Sequence, residues 1–233
     1  GKEIFSWISS QEYMNISTNN MSDDSSQVPV FLVGFPRSGT TLMDTILRSH
    51  SAIEVLEEKA NIVAAKNSIR NNGYTDIHSA SFSLNILLEA KKAYLNEFKK
   101  HINSGSVCID KLPLNLLEVP LIHQLFPEAK FILALRHPFD TILSCWMQDF
   151  ELNAAMANMV DLDRIVDLYC IAMETFKICR TEYDLNVHTI RYEDLLEDLK
   201  GESSALLKFL DLKWESKMED YRSTALKRGR INT

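Results

Sequence analysis

The run Val28–Thr41, VPVFLVGFPRSGTT, restricts the fold of this chain more than any other part of it. Val28–Val33 is a short apolar, largely β-branched stretch, the pattern of a strand buried on both faces. Gly34 to Gly39 reads as a turn, and Thr40–Arg48 as a helix with Leu42, Met43, Ile46 and Leu47 on its apolar side. Glycines let a backbone close around a phosphate, and a helix N-terminus turns free N–H groups toward it. Strand, glycine loop and helix in that order have the outline of a P-loop. The nucleoside-triphosphate form of that loop carries lysine where Thr40 stands. Here the cation is Arg37, inside the loop, and no strand ends in a convincing magnesium-holding carboxylate. Asp110 comes nearest, but Lys111 stands beside it.

The rest of the chain repeats the alternation. Strands are expected at Ile53–Leu56, Ser106–Ile109, Lys130–Leu135 and Val187–Ile190. Helices are expected over about 58–70 and 80–102, then Leu114–Phe126, Pro138–Phe150, Asp161–Tyr183 and Ser203–Leu210. Strands alternating with helices predict an α/β fold of the P-loop type. Its sheet is a doubly wound parallel one of about five strands, covered by helices on both faces. The polar stretch over residues 13–27 reads as an exposed linker, so residues 1–27 form an N-terminal segment and 28–233 the folded domain. No internal repeat of solenoid length is visible.

Charge and cysteine content narrow the partners. With 25 basic and 32 acidic residues the net charge is −7, which disfavours non-specific nucleic-acid binding. A local cluster of cations can still bind a small anion. No apolar run reaches the ~18 residues of a membrane span. Cys108, Cys145, Cys170 and Cys179 show neither a CxxC pair nor metal-ligand spacing. They read as buried, reduced core residues, which favours a cytoplasmic setting. The sequons at Asn15 and Asn20 point weakly the other way.

In an open parallel sheet the ligand sits beyond the carboxyl ends of the strands. Arg37 lies there after the first strand, Glu57 and Glu58 after the second, and Asp110 and Lys111 after the third. Arg136 follows the fourth, and Arg191 and Tyr192 the fifth. The second strand is expected beside the P-loop strand, so that Glu58 faces the loop across one crevice. Glu57 and Glu58 also suit the first turn of a helix, where carboxylates are favoured. Arg136 and Ser144, in RHPFDTILS, can both reach one phosphate, the guanidinium with two parallel N–H groups and the hydroxyl as a donor. His50 reads as a helix C-terminal cap and His123 as a satisfied helix histidine. Trp146, Met147, Met156 and Met159 are expected to line the core.

Taken together, PRSGTTL at Pro36–Leu42, RHPFDTILS at Arg136–Ser144 and RYEDL at Arg191–Leu195 resemble the sulfotransferases that use 3′-phosphoadenosine 5′-phosphosulfate (PAPS). The resemblance covers about Pro29 to Trp214. It is closest to bacterial sulfotransferase domains attached to tetratricopeptide repeats and extends to tyrosylprotein sulfotransferases. It implies transfer of a sulfuryl group from PAPS to a hydroxyl acceptor by in-line displacement, with no metal. It also implies that Arg37, Ser38, Gly39, Thr40 and Thr41 hold the 5′-phosphosulfate, that Arg136 and Ser144 hold the 3′-phosphate, and that Tyr192 contacts the nucleotide. Glu58 falls where the tyrosylprotein enzymes place the general base, and Lys111 where a lysine stabilises the leaving phosphate bridge. Small-molecule cytosolic enzymes use a histidine instead, for which His50 is the candidate. The family normally continues with a segment that closes over the nucleotide, and the basic run Arg222, Lys227, Arg228 and Arg230 looks like its start, so the domain is expected to be incomplete at its C-terminus. The alternatives are a P-loop kinase or NTPase and a non-catalytic nucleotide-binding domain. The acceptor class, whether a small molecule, sugar or peptide, and a homodimer stay open.

Overall fold

A computed structural model of the chain describes residues 28–75, 77, 82–103, 107–148 and 161–227. The residues 1–27 with both sequons, the stretch 149–160 with Met156 and Met159, and Arg228 and Arg230 lie outside the described residues.

Five parallel strands carry the fold: β1 (Val30–Gly34), β2 (Ile53–Glu57), β3 (Val107–Lys111), β4 (Lys130–Leu135) and β5 (Asn186–Arg191). The described helices are α1 (Thr40–Arg48), α2 (Asn61–Asn71), α3 (Leu84–Lys99), α4 (Val119–Leu125), α5 (Pro138–Trp146), α6 (Leu162–Glu182), α7 (Tyr192–Glu197), α8 (Leu199–Phe209) and α9 (Tyr221–Lys227). Short 3-10 turns precede α4 at Pro113–Leu117 and α9 at Ser216–Asp220.

Strand alternation sends successive side chains to opposite faces and creates two cores. Phe31 and Val33 of β1 join Cys108, Phe131 and Leu133 under α2, α3, α4 and α6. Val30 and Leu32 join Ile109, Ile132 and Ile190 under α1 and α8. The first core is built on rings. Phe31 stacks on Phe131 at 5.6 Å between centroids, and Tyr94 meets Phe126 edge-on at 4.9 Å. The apolar runs that predicted strands are therefore buried from both sides, as a parallel sheet requires.

The sheet order is β2-β3-β1-β4-β5, which corrects the expected neighbour of the P-loop strand. Val30 pairs with Ile109 and Leu32 with Lys111, so β3 rather than β2 lies against β1. β2 is an edge strand, in keeping with its polar Glu54 and Glu57, whereas the last four residues of β3 are all buried. Lys111 therefore stands between the P-loop strand and the Glu57–Glu58 turn.

Several boundaries also move. Glu57 ends β2, and α2 begins only at Asn61, so Glu57 and Glu58 do not open a helix. Asp110 and Lys111 belong to β3 itself. α5 ends at Trp146 and leaves Trp146 55% and Met147 74% exposed, so neither lines the core. Cys170 is likewise exposed, whereas the other three cysteines are buried and all four are free. α7 and α9 were not anticipated. α9 packs on α1, where the Thr224 and Ser49 hydroxyls bond at 2.9 Å, at the end of α1 remote from the P-loop. Among the described residues no helix is long and apolar enough to cross a membrane.

Candidate functional site

β1 delivers the loop Gly34–Gly39 to the carboxyl edge of the sheet, and α1 starts directly after it. Gly39 is the N-cap of α1 with φ 96°, and no side chain caps the helix. The first intrahelical bond runs from the Met43 N–H to the Gly39 carbonyl, so the N–H groups before it have no acceptor within the helix. The glycines are demanded by space. A Cβ on Gly34 would lie 2.6 Å from the Ala134 carbonyl oxygen, and one on Gly39 would lie 2.7 Å from Cδ2 of Tyr192. Gly39→Ala is therefore expected to lower stability by about 1–3 kcal/mol, since it adds a left-handed alanine to a clash. Thermal denaturation checks this, and an unchanged Tm would contradict it.

Two non-glycine residues at this edge also have left-handed backbone, Arg37 with φ 68° and Glu58 with φ 52°. The other two described, Asp184 and Asp211, are of a type that tolerates that region. Strain of this kind persists only where the surroundings enforce it, and it gathers at functional sites.

α5 braces the loop from the side. The Arg37 Nε–H donates to Ser144 Oγ at 3.0 Å, and the Cys145 thiol donates to the Pro36 carbonyl at 3.2 Å. Burial pushes the Cys145 thiol up to about 12, although Arg37 pulls the other way, so it stays a donor. From the end of β4, Arg136 donates to the Arg37 carbonyl at 3.4 Å. Its guanidinium also lies over the Tyr192 ring, 4.9 Å from the centroid. Tyr192 thus sits between Gly39 and Arg136. Two donors in this cluster, Ser38 Oγ and Arg136 Nε, are buried without a hydrogen-bond partner among the described residues. Buried polar atoms are nearly always satisfied, so orphans beside a phosphate-shaped loop are what a bound oxyanion would complete.

Lys111 is 2% exposed, and its ammonium donates to Glu57 Oε1 at 3.1 Å and Glu58 Oε1 at 3.0 Å. A buried ammonium needs such partners. The backbone repeats the link, the Glu58 N–H donating to the Lys111 carbonyl at 2.8 Å. Glu58 is half exposed and faces the open side of the pair.

His50 is elsewhere. It follows α1 and precedes β2, at the opposite edge of the sheet from the loop. Its Nδ1 accepts from the Ala52 N–H at 3.1 Å, which makes Nε2 the donor to the Lys213 carbonyl at 2.9 Å. Both ring nitrogens are committed, so His50 cannot serve the site as a base.

The sequence reading named Asp110 on the rim and quoted Glu193 within RYEDL, but it gave neither of them the part it plays here. Glu193 Oε1 accepts the His137 N–H at 2.8 Å and so ties the Arg136 turn to α7. Burial opposes its charge, but the His137 N–H, its own N–H, Arg191 and Arg136 together hold its carboxyl below the ordinary range. Asp110, fully buried, accepts from the Tyr94 hydroxyl at 2.6 Å and Asn61 Nδ2 at 3.0 Å. Burial raises its carboxyl from 3.8 to about 6 against these two hydrogen bonds. The folded state then binds the proton more tightly than the unfolded state, so stability falls as pH rises from about 4 to about 6. The loss is about 3 kcal/mol, from roughly two pKa units. The stability difference between Asp110→Asn and the parent is expected to move in the variant's favour across that window. Denaturant melts at pH 4 and pH 7 check it, and a pH-independent difference would contradict it.

Among the described residues no group of three or more His, Cys, Asp or Glu could hold a metal ion. The rim gathers Arg37, Arg136 and the open first turn of α1, with the Lys111–Glu58 pair beside them.

The chain is similar to known proteins in sequence and in fold. A family profile described as "Sulfotransferase family" matches residues 29–216. The chain is 26% identical over 215 residues to protein-tyrosine sulfotransferase 1 of Danio rerio, covering 87% of this chain and 58% of that protein. It is 28% identical over 208 residues to an uncharacterized protein of Aquifex aeolicus, covering 85% of this chain and 27% of the relative. The chain thus spans well under two thirds of these relatives. In fold it is similar to sulfotransferase STF9 from Mycobacterium avium, with TM-score 0.59 and 14% identity over 98% of this chain and 73% of that one. It is also similar to mouse sulfotransferase SULT7A1 complexed with PAP, with TM-score 0.55 and 17% identity over 90% and 69%.

Proposed function

The chain belongs to the sulfotransferase family, and on that premise we propose that it transfers a sulfuryl group from PAPS to a hydroxyl acceptor. The observation that carries the reading is the meeting of Arg37, Ser144, Arg136 and Tyr192 around one P-loop, with the Lys111–Glu58 pair on the neighbouring strand.

In this reading the loop N–H groups with Arg37, Ser38, Gly39, Thr40 and Thr41 hold the 5′-phosphosulfate. Arg136 and Ser144 hold the 3′-phosphate, and Tyr192 packs against the nucleotide. The Arg37 Nε–H occupies a lone pair of Ser144 Oγ, which leaves the Ser144 hydroxyl hydrogen free to donate. The acceptor oxygen attacks sulfur in line. Its O–H bond breaks and Glu58 takes the proton. The bond from sulfur to the bridging oxygen breaks, and the electron pair goes to the 5′-phosphate of adenosine 3′,5′-bisphosphate. A loose transition state needs positioning and charge stabilisation, which Arg37 and Lys111 supply. Protonated Glu58 attracts Lys111 less, which leaves the ammonium, still paired with Glu57, more of its charge for the leaving oxygen.

Relatives named protein-tyrosine sulfotransferases make a tyrosyl peptide the first acceptor to try. Free cysteines suit the cytoplasmic setting that we assign. The test is a transfer assay with sulfur-labelled PAPS against a tyrosyl peptide, a sugar and a simple phenol, with magnesium–ATP as a control donor. Label on an acceptor hydroxyl is expected. Phosphoryl transfer from ATP without sulfuryl transfer would overturn the reading.

A further inference from the structure

Asp110 has no place in the chemistry just described, yet it stands one residue from Lys111 and carries a buried carboxylate. Its Oδ2 accepts from Asn61 Nδ2 and from the Tyr94 hydroxyl, while Oδ1 has no hydrogen-bond partner among the described residues. Asn61 is the first residue of α2, three positions after Glu58. The turn carrying Glu58 is thus pinned to the end of β3 twice. The Glu58 N–H meets the Lys111 carbonyl, and the Asn61 amide meets Asp110. Between the pins Glu58 holds its left-handed backbone, φ 52°, which an unrestrained glutamate would leave.

The surroundings isolate this device. Asp110 pairs across the sheet with Phe31 of β1 and Leu56 of β2, both apolar. Of the nearby charges, Lys111 is committed to Glu57 and Glu58, Lys66 of α2 to Glu118, and Lys91 of α3 lies over the Phe126 ring. Tyr94 is fully buried, and its hydroxyl is held protonated by that burial and by Asp110, so it donates throughout. A charged group placed where it weakens the fold, next to a strained site residue, is the pattern of a residue kept for function.

We propose that Asp110 is a positioning residue which, through Asn61, holds the Glu58 turn against Lys111. The inference rests on the functional reading above, and its test separates the two. Asn61→Ala removes the pin and leaves Asp110 bonded to Tyr94. In that variant, amide hydrogen exchange at Glu58 is expected to quicken at least tenfold, with the β1 amides unchanged. Turnover of PAPS with a tyrosyl peptide is expected to fall at least tenfold, with affinity for adenosine 3′,5′-bisphosphate within about threefold of the parent. Asp110→Asn, whose amide oxygen still accepts from Asn61, is expected to keep most of the turnover that Asp110→Ala loses. Parental Glu58 exchange in Asn61→Ala overturns the inference, whatever the acceptor. Absence of bisphosphate binding by the parent chain removes the functional reading instead, and the inference with it.

Discussion

Glu58→Ala is expected to cut sulfuryl transfer by about 10²–10⁴-fold, the usual share of general-base catalysis, with PAPS affinity nearly unchanged. The split follows from geometry. Glu58 contacts Lys111 on the strand beyond β1, while the P-loop, Arg136 and Ser144 hold one another without it. The variant should fold, because Glu57 still pairs the buried Lys111 at 3.1 Å. His50→Ala should behave in the opposite way. It removes two part-buried hydrogen bonds at the far edge of the sheet, each worth about 0.5–1.5 kcal/mol of stability, and should spare turnover. Steady-state kinetics and thermal melts of the two variants check this together. If His50→Ala lost the chemistry and Glu58→Ala kept it, the base assignment would be wrong.

The double variant Arg136→Ala/Ser144→Ala is expected to lose about 10²–10⁴-fold in preference for a 3′-phosphorylated nucleotide, from two contacts of about 1.5–3 kcal/mol each. Ser144 is coupled to Arg37, and Arg136 to the Arg37 carbonyl and Tyr192, so the single variants are not expected to add to the double one. Calorimetric titration with adenosine 3′,5′-bisphosphate and with ADP measures it. A preserved ratio of the two affinities would contradict the assignment.

The P-loop was legible because every constraint on it is local. Apolar run, glycine spacing and helix-opening threonines need no knowledge of the rest of the chain, and β1 and α1 fall where the pattern puts them. Arg136 and Tyr192 were placed at strand ends and Ser144 along the helix after Arg136, with their roles supplied by motif resemblance, and the structure brings all three to the same loop. Strand order was not legible. β2 and β3 are both short and apolar, and the register that sets Lys111 beside Leu32 depends on how two helices and the edge strand pack. The polar Glu54 and Glu57 of β2 suit an edge strand, but such residues are too weak a signal to fix strand order by themselves. The helix after β2 was begun too early because two glutamates look like a first turn, whereas Glu58 takes left-handed backbone instead. Trp146 and Met147 were placed inside by type, yet α5 turns Ile142 and Cys145 inward and those two out. Asp110, Asn61 and Tyr94 are far apart in sequence, and no spacing rule joins them.

The binding of adenosine 3′,5′-bisphosphate and of ADP to the unmodified chain, compared at one ionic strength, tests the account most directly. With Arg136 and Ser144 on a 3′-phosphate and the P-loop on a 5′-anion, the bisphosphate should bind at least about a hundredfold tighter, with no need of magnesium. Equal affinities, or tighter binding of ADP in the presence of magnesium, would contradict it.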